Sequence, residues 1–186
     1  MDTEAELKAI GEQIRELEKR EVELKRKLGA GDVKDYELRG PDGPVRLSQA
    51  FGDNELMVLV HNMGKQCSYC TLWADGFKSL YEYIEKGVPH GQTRAAFVVV
   101  SPNEPDVQQA FAKSRGWGFR MLSTKGTDLF KDMGFGDDEG NPWPGVSILK
   151  KEGDRLTRVA KDFFGPGDKY NSVFSFLQLM PGSPTS

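Results

Sequence analysis

The chain has 186 residues, of which 28% are charged and 38% hydrophobic, and its formal net charge is -3 at pH 7. This length fits one domain with a sizeable core, and the composition is typical of a folded globular protein. The weakly acidic balance offers no basic surface for nucleic acid, and apolar runs such as residues 95–100 are too short to cross a bilayer. The first residues are rich in Glu and Lys where a signal peptide would be apolar. We therefore expect a cytoplasmic protein with neither nucleic-acid nor membrane partners.

A helical pattern fills the first thirty residues. Apolar side chains recur at alternating spacings of three and four, interrupted only by Glu21, at Leu7, Ile10, Ile14, Leu17, Leu24 and Leu28. This pattern predicts an amphipathic helix that ends in a glycine hinge. Its narrow stripe suits either a coiled-coil homodimer seam or packing against the rest of its own chain, and the sequence leaves both open. We divide the chain into this helix (1–30), a main domain (31–180) and a disordered tail (181–186).

The main domain alternates strand and helix patterns. In order, the sequence predicts a hairpin (36–39 and 45–47), a strand (56–60), a helix (68–87, weakened at Gly76), a strand (95–100), a helix ending at Gly116, a short strand (119–122), a short helix (127–133), a second hairpin (146–149 and 156–160) and a last helix (170–180). Right-handed crossovers build from this order a mixed sheet with helices on both faces.

The two cysteines, Cys67 and Cys70, follow the first core strand and open the next helix. Their spacing at this place is the signature of a redox dithiol. A thiolate at a helix N-terminus is stabilised by unpaired N–H groups and by the helix dipole. Cys67 is thus the predicted nucleophile, and Cys70, one turn further on, would resolve a mixed disulfide. The alternative is a pair of unreactive buried thiols, which this context disfavours.

A zinc site is the competing interpretation of two nearby cysteines. A structural zinc needs four ligands, and the chain adds only His61 and His90, six residues before Cys67 and twenty after Cys70. That spacing matches no recognised zinc motif. We therefore expect neither a metal nor a cofactor.

The order of elements, with C-x-x-C at the first strand-to-helix turn, resembles the thioredoxin fold. The segment L-V-H-N-M-G-K-Q-C-S-Y-C has the same length from strand to dithiol as the thioredoxin active site. The resemblance implies a three-layer α/β fold, here with an N-terminal β-hairpin and an appended helix. It also implies a cis-proline facing the dithiol just before the third core strand. Pro144 matches that position, whereas Pro142 lies two residues further from the strand.

The layout of residues 5–165 is similar to a narrower bacterial family, described as thioredoxin-like, predicted dithiol-disulfide oxidoreductases. The shared motifs are D-Y-x-[FL], G-P-D-G-P-V, L-x-x-x-F, L-W-A-D-G-F after the dithiol, V-x-V-S-P and R-G-W-x-F. Many members have a longer turn before the cysteines than this chain has.

The resemblance assigns further site residues. His61 occupies the position of thioredoxin's buried acid, and an imidazole could move a proton to and from Cys70, although strand-end histidines are more often structural. Trp143, before Pro144, is expected to line the substrate groove and to pair its backbone N–H and C=O with substrate. The pair Ser68-Tyr69 replaces the usual proline inside the dithiol, so the direction of electron flow stays open.

These features predict a thiol-disulfide oxidoreductase for protein or small-molecule disulfides. One alternative is an interaction module with a regulatory or vestigial dithiol. Another is a thiol peroxidase, because peroxiredoxins also carry a hairpin before the first core strand. Their signature has a threonine three residues before the reactive cysteine and a proline four before that, where this chain has Gly64 and Val60.

Overall fold

The computed structural model describes residues 2–88 and 93–182. Their helices and strands, in chain order, are α1 (Thr3–Gly29), β1 (Gly31–Val33), β2 (Glu37–Gly40), β3 (Gly43–Arg46), α2 (Leu47–Ala50), β4 (Leu56–His61), α3 (Ser68–Phe77), α4 (Tyr81–Lys86), β5 (Ala96–Ser101), α5 (Pro105–Arg115), β6 (Arg120–Ser123), α6 (Leu129–Asp132), β7 (Gly145–Glu152), β8 (Arg155–Phe163) and α7 (Val173–Leu179). None of these helices is long and apolar enough to cross a membrane. His90 and most of the predicted tail (181–186) lie outside the described residues.

One mixed sheet of eight strands forms the centre of the fold, in the order β1-β8-β7-β4-β5-β6-β2-β3. Strands β4, β5 and β6 are parallel, and the other pairs are antiparallel. The hairpin β2–β3 closes one edge. The predicted thioredoxin-like mixed sheet with an N-terminal hairpin is confirmed.

The alternation of side chains along β4 divides the core between the two faces of the sheet. Met57 and Leu59 join a cluster that includes the buried residues of α2 and α6. Val58 and Val60 point to the other face, where Trp73 and Phe77 of α3 pack. Burying each such side chain stabilises the fold by about 1.5–3 kcal/mol. Helices therefore cover both faces, as the sequence predicts.

The helix predicted from Ser68 to Gly87 is two helices in the structure. α3 ends at Phe77, just after Gly76, and α4 begins at Tyr81. α4 then ends at Gly87, which takes the left-handed conformation (φ 66°) that favours glycine. The weak point predicted at Gly76 thus lies next to a real break.

The segment predicted as a glycine hinge is packed against the main domain. Gly29 lies so close to β8 that an added Cβ would be 2.4 Å from the Lys161 backbone nitrogen. Residues Gly31–Val33 then form the edge strand β1, antiparallel to β8. The sequence did not predict this strand because its three residues carry no alternating apolar pattern. The edge of β8 supplies the backbone partners instead.

Candidate dithiol active site

The two cysteines flank the start of α3 at the edge of the sheet where β4 ends. β4 finishes at His61, five residues form a turn, and Cys67 is the N-cap of α3. Cys67 is partly exposed and Cys70 is 2% exposed, and both are free thiols. A reagent therefore meets Cys67 first, with Cys70 directly behind it.

Backbone N–H groups are directed at both sulfur atoms. The Cys70 N–H donates to Cys67 Sγ at 3.1 Å, and the Met63 N–H donates to Cys70 Sγ at 3.4 Å. Burial raises the pKa of the Cys70 thiol, and its hydrogen bond with the Cys67 side chain raises it further, while the Met63 amide opposes the shift. Cys70 thus stays protonated and can donate its S–H to a Cys67 thiolate.

Two asparagines that the sequence analysis did not single out hold the turn before the dithiol. The buried Asn62 accepts the Gly64 N–H at 2.8 Å and donates to the Cys70 carbonyl at 3.4 Å. Asn103, after β5, accepts the Lys65 N–H at 2.9 Å. The signal that could have found Asn62 is its place after a strand and two residues before a glycine, where Asn side chains fold back on the backbone.

Pro144 and Trp143 lie beside the dithiol turn because their strand neighbours the end of β4. β7 begins at Gly145, whose register partner on β4 is His61. Trp143 is 44% exposed, and its ring meets that of the exposed Phe163 at 6.4 Å between centroids. The backbone N–H of Trp143, however, already donates to the Phe135 carbonyl at 2.6 Å. Pairing of this N–H with substrate stays a prediction and would require that bond to break, so the carbonyl of Trp143 is the group better placed for that role.

His61 lies on the opposite face of the sheet from Cys70. It follows Val60, so its side chain points to the same face as Leu59, where it stacks on Phe135 at 3.9 Å between ring centroids. Its Nε2 is 3.0 Å from Ser147 Oγ. Burial, together with the nearby charges of Arg158 and Lys161, lowers the pKa of this fully buried ring to about 3.

The ring of His61 is therefore neutral near pH 7. In the described part of the chain, its hydrogen bond and ring contacts reach Ser147, Phe130 and Phe135 rather than a cysteine. The proton-transfer role of His61 stays a prediction. These contacts support a packing role.

Two further observations concern the zinc alternative and the three tryptophans. Within residues 2–88 and 93–182, no group of three or more His, Cys, Asp or Glu side chains is arranged to hold a metal ion. His90, the fourth member of the zinc alternative, is not among those residues. Trp73 and Trp117 are buried, so Trp143 is the tryptophan available to a substrate at this edge.

Comparisons with known proteins agree with the fold. The model of a family described as "Bacterial protein of unknown function (DUF899)" matches residues 4–182. No curated protein matches the sequence.

Several solved structures are similar. Peroxidoxin BcpB from Mycobacterium tuberculosis is 22% identical, with 73% of this chain and 84% of that chain covered and a TM-score of 0.57. Peroxiredoxin 5 from Alvinella pompejana is 13% identical, with 80% and 94% covered and a TM-score of 0.60. A thiol:disulfide interchange protein from Bacteroides sp. is 14% identical, with 82% and 92% covered and a TM-score of 0.55. At identities below 25%, this structural similarity shows a shared thioredoxin fold alone.

Proposed function

We propose that this chain, which belongs to the DUF899 family of bacterial proteins of unknown function, is a thiol-disulfide oxidoreductase. One observation carries the proposal. The partly exposed Cys67 sulfur caps the N-terminus of α3 and accepts the Cys70 N–H, while the buried, protonated Cys70 thiol lies behind it. This arrangement provides one activated nucleophile and one resolving thiol.

The proposed reaction transfers two electrons and the Cys70 proton to the substrate disulfide. The Cys67 thiolate attacks one sulfur of a substrate disulfide, forms a mixed disulfide and releases the other sulfur as a thiolate. Cys70 then attacks the Cys67 sulfur, and its proton passes to the substrate sulfur that leaves. The second substrate thiol leaves, and a Cys67–Cys70 disulfide remains. The substrate is reduced and the protein oxidised, and an external thiol reductant restores the dithiol. Both steps run in reverse when the protein acts as an oxidant.

We further propose that the substrate lies along Trp143 and Pro144. The exposed rings of Trp143 and Phe163 offer apolar contact beside the dithiol turn, and the Trp143 carbonyl can accept one N–H from an extended peptide. Protein disulfides and small-molecule disulfides both fit this open edge. The electrons reside in the two sulfurs, so the reaction needs no cofactor. A reducing cytoplasm would keep the dithiol ready, and the mechanism calls for no nucleic-acid or membrane partner.

The structure gives the peroxidase alternative little support at the position of its signature threonine. Gly64 occupies that position with φ 105°, a conformation that side-chain-bearing residues rarely adopt. A Cβ there would lie 2.5 Å from Asn103 Oδ1. The hydroxyl of the nearby Thr71 donates to the Cys67 carbonyl instead. Position 64 therefore supplies no side-chain hydroxyl to activate a peroxide, and the Thr71 hydroxyl directs its proton to the Cys67 carbonyl.

The test is covalent trapping with Cys70→Ser. This variant should hold substrates on Cys67 as mixed disulfides that dithiothreitol releases, because the resolving thiol is gone. The double variant Cys67→Ser/Cys70→Ser, which lacks both thiols, is the control and should hold none. Pro144→Ala should slow turnover and change which partners are trapped.

If Cys70→Ser traps no partner in a host that makes the protein naturally, the interaction-module alternative replaces the proposal. Rapid peroxide consumption that depends on Cys67 alone would favour the peroxidase instead. Trapping is measured in that host, and peroxide consumption on the purified variants.

A further inference from the structure

The apolar stripe of α1 is exposed although the helix packs on its own domain. The six stripe residues, Leu7, Ile10, Ile14, Leu17, Leu24 and Leu28, are between 44% and 70% exposed. A row of large apolar side chains exposed along one helix marks an interaction surface. The alternative left open by the sequence, that the stripe lies against the domain, is not what the described residues show.

A different face of α1 makes the contact with the domain. Lys25 Nζ lies 2.5 Å from Asp162 Oδ2 on β8, Lys169 Nζ lies 3.0 Å from Glu21 Oε2, and Gly29 abuts the β8 backbone. At 100° per residue, the contact face through residues 18, 21, 25 and 29 is turned about 60° from the centre of the stripe and adjoins it at Glu21. The domain thus fixes α1 while leaving its stripe free for a second helix.

We propose that the stripe binds the same stripe of a second copy of this chain, as an antiparallel two-stranded coiled coil. The alternating spacings of three and four define a heptad repeat, and only a helix with the same repeat fits its knobs and holes. α1 has 27 residues, about 40 Å by the helical rise, and each other described helix has 11 or fewer. A second α1 is the partner of matching length.

The charges along α1 select the antiparallel orientation. Residues 3–17 hold four Glu against Lys8 and Arg15, for a net charge of -2, and residues 18–29 hold three Glu against five Lys and Arg, for +2. Antiparallel helices bring these opposite halves together, whereas parallel helices place like charges side by side. The parallel arrangement would also set the two Glu21 residues against each other in the seam.

The heptad fixes a register for this arrangement. Leu7 packs against Leu24 of the second copy, and Ile14 against its Leu17. Glu6 then faces Lys27 of the second copy across the edge of the seam. Each of these pairs occurs twice in a symmetric dimer. In this register the Glu21 position comes opposite Ile10 of the second copy, and hydrogen bonds to Lys25 and Lys169 of its own chain lower the pKa of Glu21 and keep it charged.

Sedimentation velocity on the full chain tests the proposal. The wild type should be a dimer at about 10 µM, and Ile14→Asp should convert it to a monomer, because a carboxylate would be buried in the seam. Ala9→Asp adds the same charge on the solvent side of α1 and should stay dimeric. Unchanged thiol reactivity and circular dichroism show that the variants are folded. A monomeric wild type at 100 µM, or a dimer that survives Ile14→Asp, would overturn the proposal.

Charge exchange tests the orientation. At low salt, Glu6→Lys and Lys27→Glu should each raise the dimer dissociation constant by about 3–10-fold, since like charges then meet across the seam. The double variant should restore the wild-type value only if these residues face each other. A spin label at position 5 in the Cys67→Ser/Cys70→Ser background should give a distance of about 30 Å between copies. A distance near 10 Å would show parallel helices and refute the orientation.

Discussion

Cys70 and His61 are two buried titratable groups that flank the same short turn, and their surroundings differ in every respect. Cys70 lies on the α3 face, where its sulfur accepts the Met63 N–H and contacts the Cys67 side chain. His61 lies on the opposite face between Phe130 and Phe135, and its Nδ1 has no hydrogen-bond partner among the described residues. The first environment supports proton and electron chemistry, and the second holds a neutral ring in a core. Two residues that are close in sequence lie apart when their side chains point to opposite faces of a sheet.

The largest expected difference is between the activities of Cys67→Ser and His61→Phe. Cys67→Ser should lower the rate of disulfide reduction by at least about 10³-fold, because the attacking sulfur is lost. His61→Phe keeps an aromatic ring beside Phe135 and should change the rate by less than about threefold. A general acid or base accelerates a reaction by about 10²-fold or more. The rate of His61→Phe therefore distinguishes a proton-transfer role of His61 from a packing role. Reduction of a chromogenic disulfide by the folded variants measures both rates.

If folded His61→Phe reduces the disulfide more than tenfold more slowly than the wild type, His61 takes part in proton transfer. That result would also mean that the sheet face occupied by this ring does not isolate it from the dithiol.

The second prediction concerns the turn that separates the two groups. Asn62→Ala removes the acceptor of the buried Gly64 N–H and should lower the free energy of unfolding by about 1–3 kcal/mol. Asn103→Ala is the matched control, because its bond to the Lys65 N–H is exposed and should contribute less than about 1 kcal/mol. Urea unfolding of both variants gives the difference. Equal losses would show that Asn62 has no special part in holding the dithiol turn.

The third prediction is the pH dependence of stability that His61 supplies. Its folded pKa, about 3, lies below the unfolded value near 6.5, so the unfolded chain binds the extra proton between these values. The contribution of His61 to the free energy of unfolding is complete above pH 6.5. Below that pH it should fall by up to about 1.4 kcal/mol per pH unit. Urea unfolding between pH 7 and pH 5, above the range where most carboxylates titrate, measures the slope.

His61→Phe should remove this contribution, because the phenyl ring binds no proton in either state. The same slope in wild type and variant would mean that other groups cause the pH dependence and that the His61 ring is more solvated than its packing indicates.

The fold could be predicted wherever the signal was local. The apolar run of β4, the C-x-x-C spacing, the Pro/Gly turn of the first hairpin and the continuous apolar strand β5 each point to one structure. Their order then leaves few topologies, since crossovers are right-handed. β1 could not be predicted, because its three residues form a strand only through the partners on β8. α3 ends just after Gly76, whose cost of about 1 kcal/mol relative to alanine predicts a weak point in a helix but not a break.

The amino-acid sequence by itself determined the thioredoxin-like order of elements, the dithiol at the start of α3 and the heptad stripe of α1. Each of these depends on spacing along the chain, which local backbone geometry converts directly into position. Only the tertiary structure decided that His61 faces away from Cys70, that the backbone N–H of Trp143 donates to the Phe135 carbonyl, and that the stripe of α1 stays exposed. These features depend on which strand face, carbonyl or domain surface lies nearby, and such neighbours are brought together from distant parts of the chain.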